Sequence, residues 1–148
     1  MALQFRHARV ARLLRGRDPL ALNNPVIRTC VPLPDLIVSN LTASNSQAPQ
    51  GSKIPITATI KNQGEANAGA SSTTFVLDGK TTIGTVPTSA LAVGASTSVV
   101  LNWDTANVKK GNHTITAAAD GQNQVAESNE NNNTSSSISI FIQGNKTR

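Results

Sequence analysis

From residue 36 to residue 142, apolar and polar side chains alternate with a period of two. Ile54, Ile56, Ala58 and Ile60 alternate with Lys53, Thr57, Thr59 and Lys61, and Val99, Leu101 and Trp103 alternate with Ser98, Val100 and Asn102. Ile115, Ala117 and Ala119 alternate with Thr114, Thr116 and Asp120, and Ile138, Ile140 and Ile142 with Ser137, Ser139 and Phe141. Successive side chains of a strand leave opposite faces, so this spacing places one face in a core and the other in water. Further strands are predicted near Leu36–Ala43 and on both sides of Asp78–Gly79, where TTFVL and TIGTV flank a dipeptide that accepts the positive φ angles of a tight hairpin. The result is an all-β domain of about seven short strands over residues 35–142. The turn segments QGS, NQGEANAG, LDGK, VGAS and KKGN are spaced as in an immunoglobulin-like antiparallel β-sandwich. Small inward residues at Ala58, Ala117 and Ala119 predict a thin core around Trp103 and Phe75.

Residues 1–34 follow a different pattern. Within residues 1–18, Leu3, His7, Val10 and Leu14 recur at helical spacing, with Arg6, Arg9, Arg12 and Arg15 over the rest of the wheel and Gly16 and Pro19 as terminators. An arginine at every third position interrupts the continuous apolar run that a secretory signal requires. Residues 19–34, PLALNNPVIRTCVPLP, hold four of the seven prolines and read as an extended linker. The VIRTCV piece of that linker is β-branched enough to pair with a sheet edge. Cys30 is the only cysteine, so no internal disulfide exists, and it reads as an inert thiol. Residues 143–148 form a short tail.

The net charge of +5 is localised. Residues 1–30 carry six arginines against Asp18 alone, whereas residues 31–148 carry seven basic and seven acidic side chains. The protein is a basic arm on a neutral body. Charged residues make up only 14% of the chain, too few to cover the solvent faces of a helix bundle. No apolar run of membrane-spanning length occurs. Tyrosine is absent and Trp103 points inward, which removes the stacking platforms expected for single-stranded nucleic acid or glycans. No specific nucleic acid is therefore expected. The arm arginines Arg6, Arg9, Arg12, Arg15 and Arg17 read as a grip on an acidic protein partner or in self-assembly, or as a surface-seeking helix. An oligomer is expected.

Catalytic signals are sparse. Gly79-Lys80-Thr81 resembles the end of a phosphate loop, but the earlier glycine is replaced by Thr74 and no helix follows, which leaves a hairpin turn. His113 has Asp104 and Asp120 near it in sequence and shares parity with Ile115, a position that caps a core. No G-x-S-x-G elbow is present. The chain is expected not to be an enzyme. Residues 120–133 are rich in oxygen ligands, and Asp120, Glu127, Asn129 and Glu130 form a candidate weak calcium site, set against the ordinary use of such side chains in shaping turns. No other cofactor is expected. Five N-x-[ST] sequons begin at Asn40, Asn112, Asn132, Asn133 and Asn145, near the number that this composition yields by chance. Ile37, Leu41, Val76, Val100 and Phe141 fall on the outward parity, and gathered on one sheet they would form a docking face.

The order of these segments resembles a known family. PDLIVSNLTAS, GSKIPITATIKNQGEANAG, FVLDGKTTIG, LNW and KGNHTITAAADGQNQVAESNENNN together are similar to the CARDB module, a cell-adhesion-related domain of bacterial and archaeal surface proteins. The similarity spans about residues 34–142. It implies a seven-stranded immunoglobulin-like fold, an adhesive or spacer role on a cell surface or extracellular fibre, and no catalysis. A single copy of the module is present, without a visible secretion signal. The chain is thus expected to act by protein–protein contact, attached through its arm. The second expectation is a virion decoration or fibre protein, whose basic arm grips the particle.

Overall fold

Eight strands realise the period-two pattern: β1 (Leu36–Ala43), β2 (Gln47–Pro49), β3 (Lys53–Asn62), β4 (Ser71–Leu77), β5 (Thr81–Thr88), β6 (Ser96–Asp104), β7 (Gly111–Ala118) and β8 (Ile138–Gln143). The structure, a computed structural model, describes residues 29–144. The arm arginines and the helix expected around them lie outside the described residues. The strands belong to the unit Pro32–Arg148. They form a three-stranded sheet of order β1-β3-β6 and a five-stranded sheet of order β2-β8-β7-β4-β5.

All pairings are antiparallel except β2 with β8, which is parallel. The strand absent from the sequence reading is β2, whose three residues QAP are too short for an alternation and include a proline tolerated only at an edge. The hairpin at Asp78–Gly79 forms as expected: both residues have positive φ, 51° and 66°, and the Lys80 amide donates to the Leu77 carbonyl at 3.0 Å. The linker residues within view, Thr29–Pro34, form no strand.

The two sheets bury one apolar cluster. Ile54, Ile56, Ala58 and Ile60 of β3 are packed in it with Phe75, Ile115, Ala117, Ile140 and Ile142 of the other sheet, all with no more than 1% exposure. Trp103, Leu36 and Ala119 also belong to it, with Leu41, Ala48, Ala68, Leu91 and Val99 at its margins. Each isoleucine removed from water stabilises the fold by about 2 kcal/mol.

Leu41 departs from the sequence reading. Val38 pairs with Ile60 and Asn40 with Thr59, so Ser39 is an extra residue in β1. A bulge of this kind reverses the parity beyond it. Leu41 therefore lies opposite inward Ala58 and is buried, while Ile37 before the bulge still faces outward opposite Lys61. Strict alternation could not register the inserted residue.

At the end of β3 the inward parity falls on a polar residue, Asn62, which is fully buried. Its amide nitrogen donates to the carbonyls of Ala66 (2.8 Å) and Leu91 (3.1 Å), and its Oδ1 accepts from the amides of Gly64 (3.1 Å) and Asp35 (3.2 Å). Its own backbone bonds Ala95 and Gly94. One side chain thereby ties the start of β1, the turn after β3 and the loop before β6. Replacing Asn62 with alanine leaves the part-buried amides of Asp35 and Gly64 and the part-buried Ala66 carbonyl without this partner, each costing about 1–3 kcal/mol. Asn62→Ala is expected to lower the unfolding free energy by more than about 3 kcal/mol in urea titrations, and a near-native midpoint would contradict this assignment.

Candidate functional site

The polar chemistry of the sandwich concentrates where the chain joins it, at residues 33–36. On one side is the turn after β3: Glu65 and Gln63 amides donate to the carbonyls of Leu33 (3.0 Å) and Asp35 (2.9 Å). Gly64 lies against this segment so closely that a Cβ there would sit 2.4–2.6 Å from backbone atoms of Leu33, Pro34 and Asp35. Only glycine fits at this crossing. On the other side is the loop Glu127–Asn133. The Ser128 amide donates to the Pro34 carbonyl at 2.9 Å, Asn132 Nδ2 donates to Asp35 Oδ1 at 2.9 Å, and the Leu36 amide donates to Glu127 Oε2. Residues 33–36 are thus held from both sides.

Glu127 is the centre of the second side. It is 7% exposed, and its Oε1 accepts from Asn133 Nδ2 at 2.8 Å. Burial raises its carboxyl above the ordinary 4.5; the bonds from Leu36 and Asn133 oppose the rise, and the nearby Glu130 and Asp120 add to it. Asn133 Oδ1 is buried without a partner among the described residues.

The candidate calcium ligands are occupied in shaping this loop. Asp120, buried and at φ 43°, accepts from the amides of Gln124 (2.9 Å) and Val125 (2.8 Å) through its two oxygens. Glu130 accepts from the Glu127 amide at 2.8 Å, and Asn129 from the Asn131 amide at 3.1 Å. Among the described residues no three His, Cys, Asp or Glu side chains come together as metal ligands. An ion at Asp120, Glu127, Asn129 and Glu130 would compete with these backbone bonds.

His113 lies at the far end of β7 and is tied at both nitrogens. Nδ1 meets Asp78 Oδ2 at 2.8 Å and Nε2 meets the Lys109 carbonyl at 2.8 Å. Both neighbours are acceptors, so both bonds exist only in the imidazolium form. In that form no lone pair remains to activate a nucleophile. Burial pulls His113 down, but the bonds to Asp78 and Lys109 and the Asp78 charge outweigh it and lift the imidazole above 6.5. The Thr114 amide, then His113, hold Asp78 below 3.8.

The outward apolar residues do not gather. Ile37 and Val100 lie on the three-stranded sheet, Val76 and Phe141 on the five-stranded one. Within each pair the residues are four positions and two strands apart, about 16 Å by strand geometry. A single docking face made of all four is therefore not present. Phe141, 40% exposed, borders a shallow groove with Pro49, Lys110 and Gly111.

Two tethers went unrecognised in the sequence. Asn62 carried a readable signal, an amide on the inward parity two residues before a glycine, whereas Glu127 was read only as a cation ligand. Its pairing with Leu36, 91 positions away, leaves no local trace.

This arrangement defines the class: an immunoglobulin-like β-sandwich module whose polar side chains hold its own N-terminal lead-in. The CARDB family model matches residues 33–137, and the chain belongs to the CARDB family. A crystal structure of the CARDB domain of a Pyrococcus furiosus protein, in complex with di-metal ions, is similar over 77% of this chain and 97% of its own, with 22% identity and a TM-score of 0.63. A solution NMR structure of one domain of a Methanosarcina acetivorans protein, inferred to be a cell-surface protein, is 27% identical over 75% of this chain and 93% of its own, with a TM-score of 0.60. A β-glucosidase of Erythrobacter marinus contains a similar sandwich in 16% of its length, matching 74% of this chain at 14% identity with a TM-score of 0.56, a likeness of fold alone. No curated protein matches the chain.

The folded state binds protons more tightly than the unfolded chain at both His113 and Glu127, so both groups favour the fold as pH falls. The His113 contribution is complete below 6.5 and is lost as pH rises through the raised folded value. The Glu127 penalty applies at neutral pH and is relieved as pH falls toward 4.5. Asp78 acts in the opposite sense, its contribution disappearing below 3.8. The melting temperature is expected to rise on acidification from pH 8 to about pH 5, as measured by calorimetry. His113→Gln should flatten the upper part of this profile and Glu127→Gln the lower, and an unchanged profile in both would contradict the assignments.

Proposed function

We propose that this chain is a non-enzymatic module that acts by protein–protein contact on an outer surface, with the sandwich as a rigid neutral bead and the arginine-rich N-terminal segment as its attachment. The observation that carries this reading is the two-sided hold on residues 33–36. A bead can transmit the position of its attachment only if the joint is stiff, and here both flanking loops hydrogen-bond the backbone of that joint. Family membership and the resemblance to a domain inferred to lie at a cell surface support an extracellular location. The tied nitrogens of His113 support a role without catalysis. The neutral body supports attachment by the arm, since only the arm carries excess charge.

Serine substitution of Arg6, Arg9, Arg12, Arg15 and Arg17 together tests the attachment. In its native host the full-length variant is expected to leave the particulate surface fraction for the medium while its thermal unfolding stays unchanged. Retention equal to that of the native chain would remove the arm from the account.

A further inference from the structure

The sandwich has four sheet edges, and three of them carry features that discourage pairing. The first, β1, is broken by the Ser39 bulge, and Ser39 Oγ turns back to the Thr59 carbonyl at 3.1 Å. The second, β2, is three residues long and ends in Pro49. The third, β5, carries Pro87, and an extra residue, Ile83, interrupts its register with β4 between the Phe75–Gly84 and Val76–Thr82 pairs. The fourth edge, β6, has none of these devices. Its nine residues pair with β3 in nine uninterrupted steps from Lys53–Asp104 to Lys61–Ser96. It contains no proline, and its one charge, Asp104, is at its last position.

The free side of β6 carries no second ladder, although β5 of the other sheet runs close beside it. Apart from its ladder with β3, no backbone hydrogen bond reaches β6 among the described residues. Leu101 lies against Gly84 of β5 in the other layer, but the two strands do not share a ladder. The inward residues of β3, Ile54 to Ile60, are fully buried, whereas Thr97 and Leu101 on the inward side of β6 are only half-buried. Val100, at the centre of the strand, is 48% exposed.

We propose that β6 is a self-pairing edge that joins, antiparallel, the β6 of a second copy of this chain about a two-fold axis at Val100. Pairing in that register matches all nine residues and keeps outward side chains opposite outward ones. Val100 meets Val100 on the axis. Ser98 faces Asn102, and Ser96 faces Asp104, so the only carboxylate of the strand lies opposite a hydroxyl and no like charges meet. On the inner face Val99 lies opposite Leu101 and Thr97 opposite Trp103, which covers the half-buried pair. The joined sheet runs β1-β3-β6 and then in reverse through the second copy. Since β1 is the opposite edge from β6, the two held lead-ins stand at the far ends of a six-stranded sheet. The inference deepens the contact-module reading, and rests on it, by naming one partner as the chain itself.

Sedimentation of the full-length protein from micromolar to millimolar concentration tests this, together with hydrogen exchange of the β6 amides. The expected result is a concentration-dependent dimer in which the β6 amides gain protection. Val100→Lys, which sets two ammonium groups on the axis at an exposed position, should give a monomer with an unchanged circular dichroism spectrum. Phe141→Lys, on the other sheet, should leave the dimer intact. A native chain that stays monomeric, a Val100→Lys dimer, or a dimer whose β6 amides exchange as in the monomer would each overturn the proposal. A monomer that still needs its arm arginines for attachment would end self-pairing and leave the proposed function standing.

Discussion

The buried amide of Asn62 is the interaction on which the arrangement of this sandwich depends. A β-sandwich built from alternation alone has well-defined faces but poorly defined ends, because the hydrophobic effect is non-directional. Asn62 supplies direction. It sits at the last inward position of β3, where the core gives way to loops, and its two donors and its acceptor oxygen are engaged with backbone groups of three separate segments. A buried amide stabilises a fold only when its bonds are completed, and this one is completed by the chain's own lead-in. Gly64 then lets that lead-in cross at backbone contact distance, and Glu127 holds the next amide from the opposite side.

The layers between these tethers are simple. Isoleucine and alanine fill the interior, with Phe75 and Trp103 as the large members. Such a core needs few specific contacts to exclude water. The specific contacts are displaced to the two ends: Asn62 and Glu127 at the lead-in, and the Asp78–His113 pair, the one salt bridge among the described residues, at the hairpin between β4 and β5. The neutral, sparsely charged surface follows from the same economy, since turn-forming asparagine, serine and threonine occupy the positions where charged side chains would otherwise stand.

Much of this was legible in the sequence. The faces of β3, β6, β7 and β8 follow from parity, and the Asp78–Gly79 turn from the requirement for positive φ. Leu41 was misplaced because a bulge adds a residue without altering composition, and β2 was missed because three residues do not make a period. Of the apolar residues on the outward parity, Val100 and Phe141 are exposed and Ile37 and Val76 half-buried, and their grouping depends on which strands share a sheet, which is a property of topology. Asp120, Glu127, Asn129 and Glu130 show the same limit. Their oxygens were visible as ligands, whereas the backbone amides that they accept are fixed only by the folded loop.

That the lead-in residues 33–36 are held rigidly by the sandwich is the central physical claim, and native-state hydrogen exchange at this lead-in tests it most directly. The amides of Asp35 and Leu36 donate to Asn62 and Glu127, so they should exchange only through global unfolding, with the same free energy as core amides such as that of Ile56. Exchange of Asp35 and Leu36 through local opening, while Ile56 stays protected, would show a hinged joint and contradict the account.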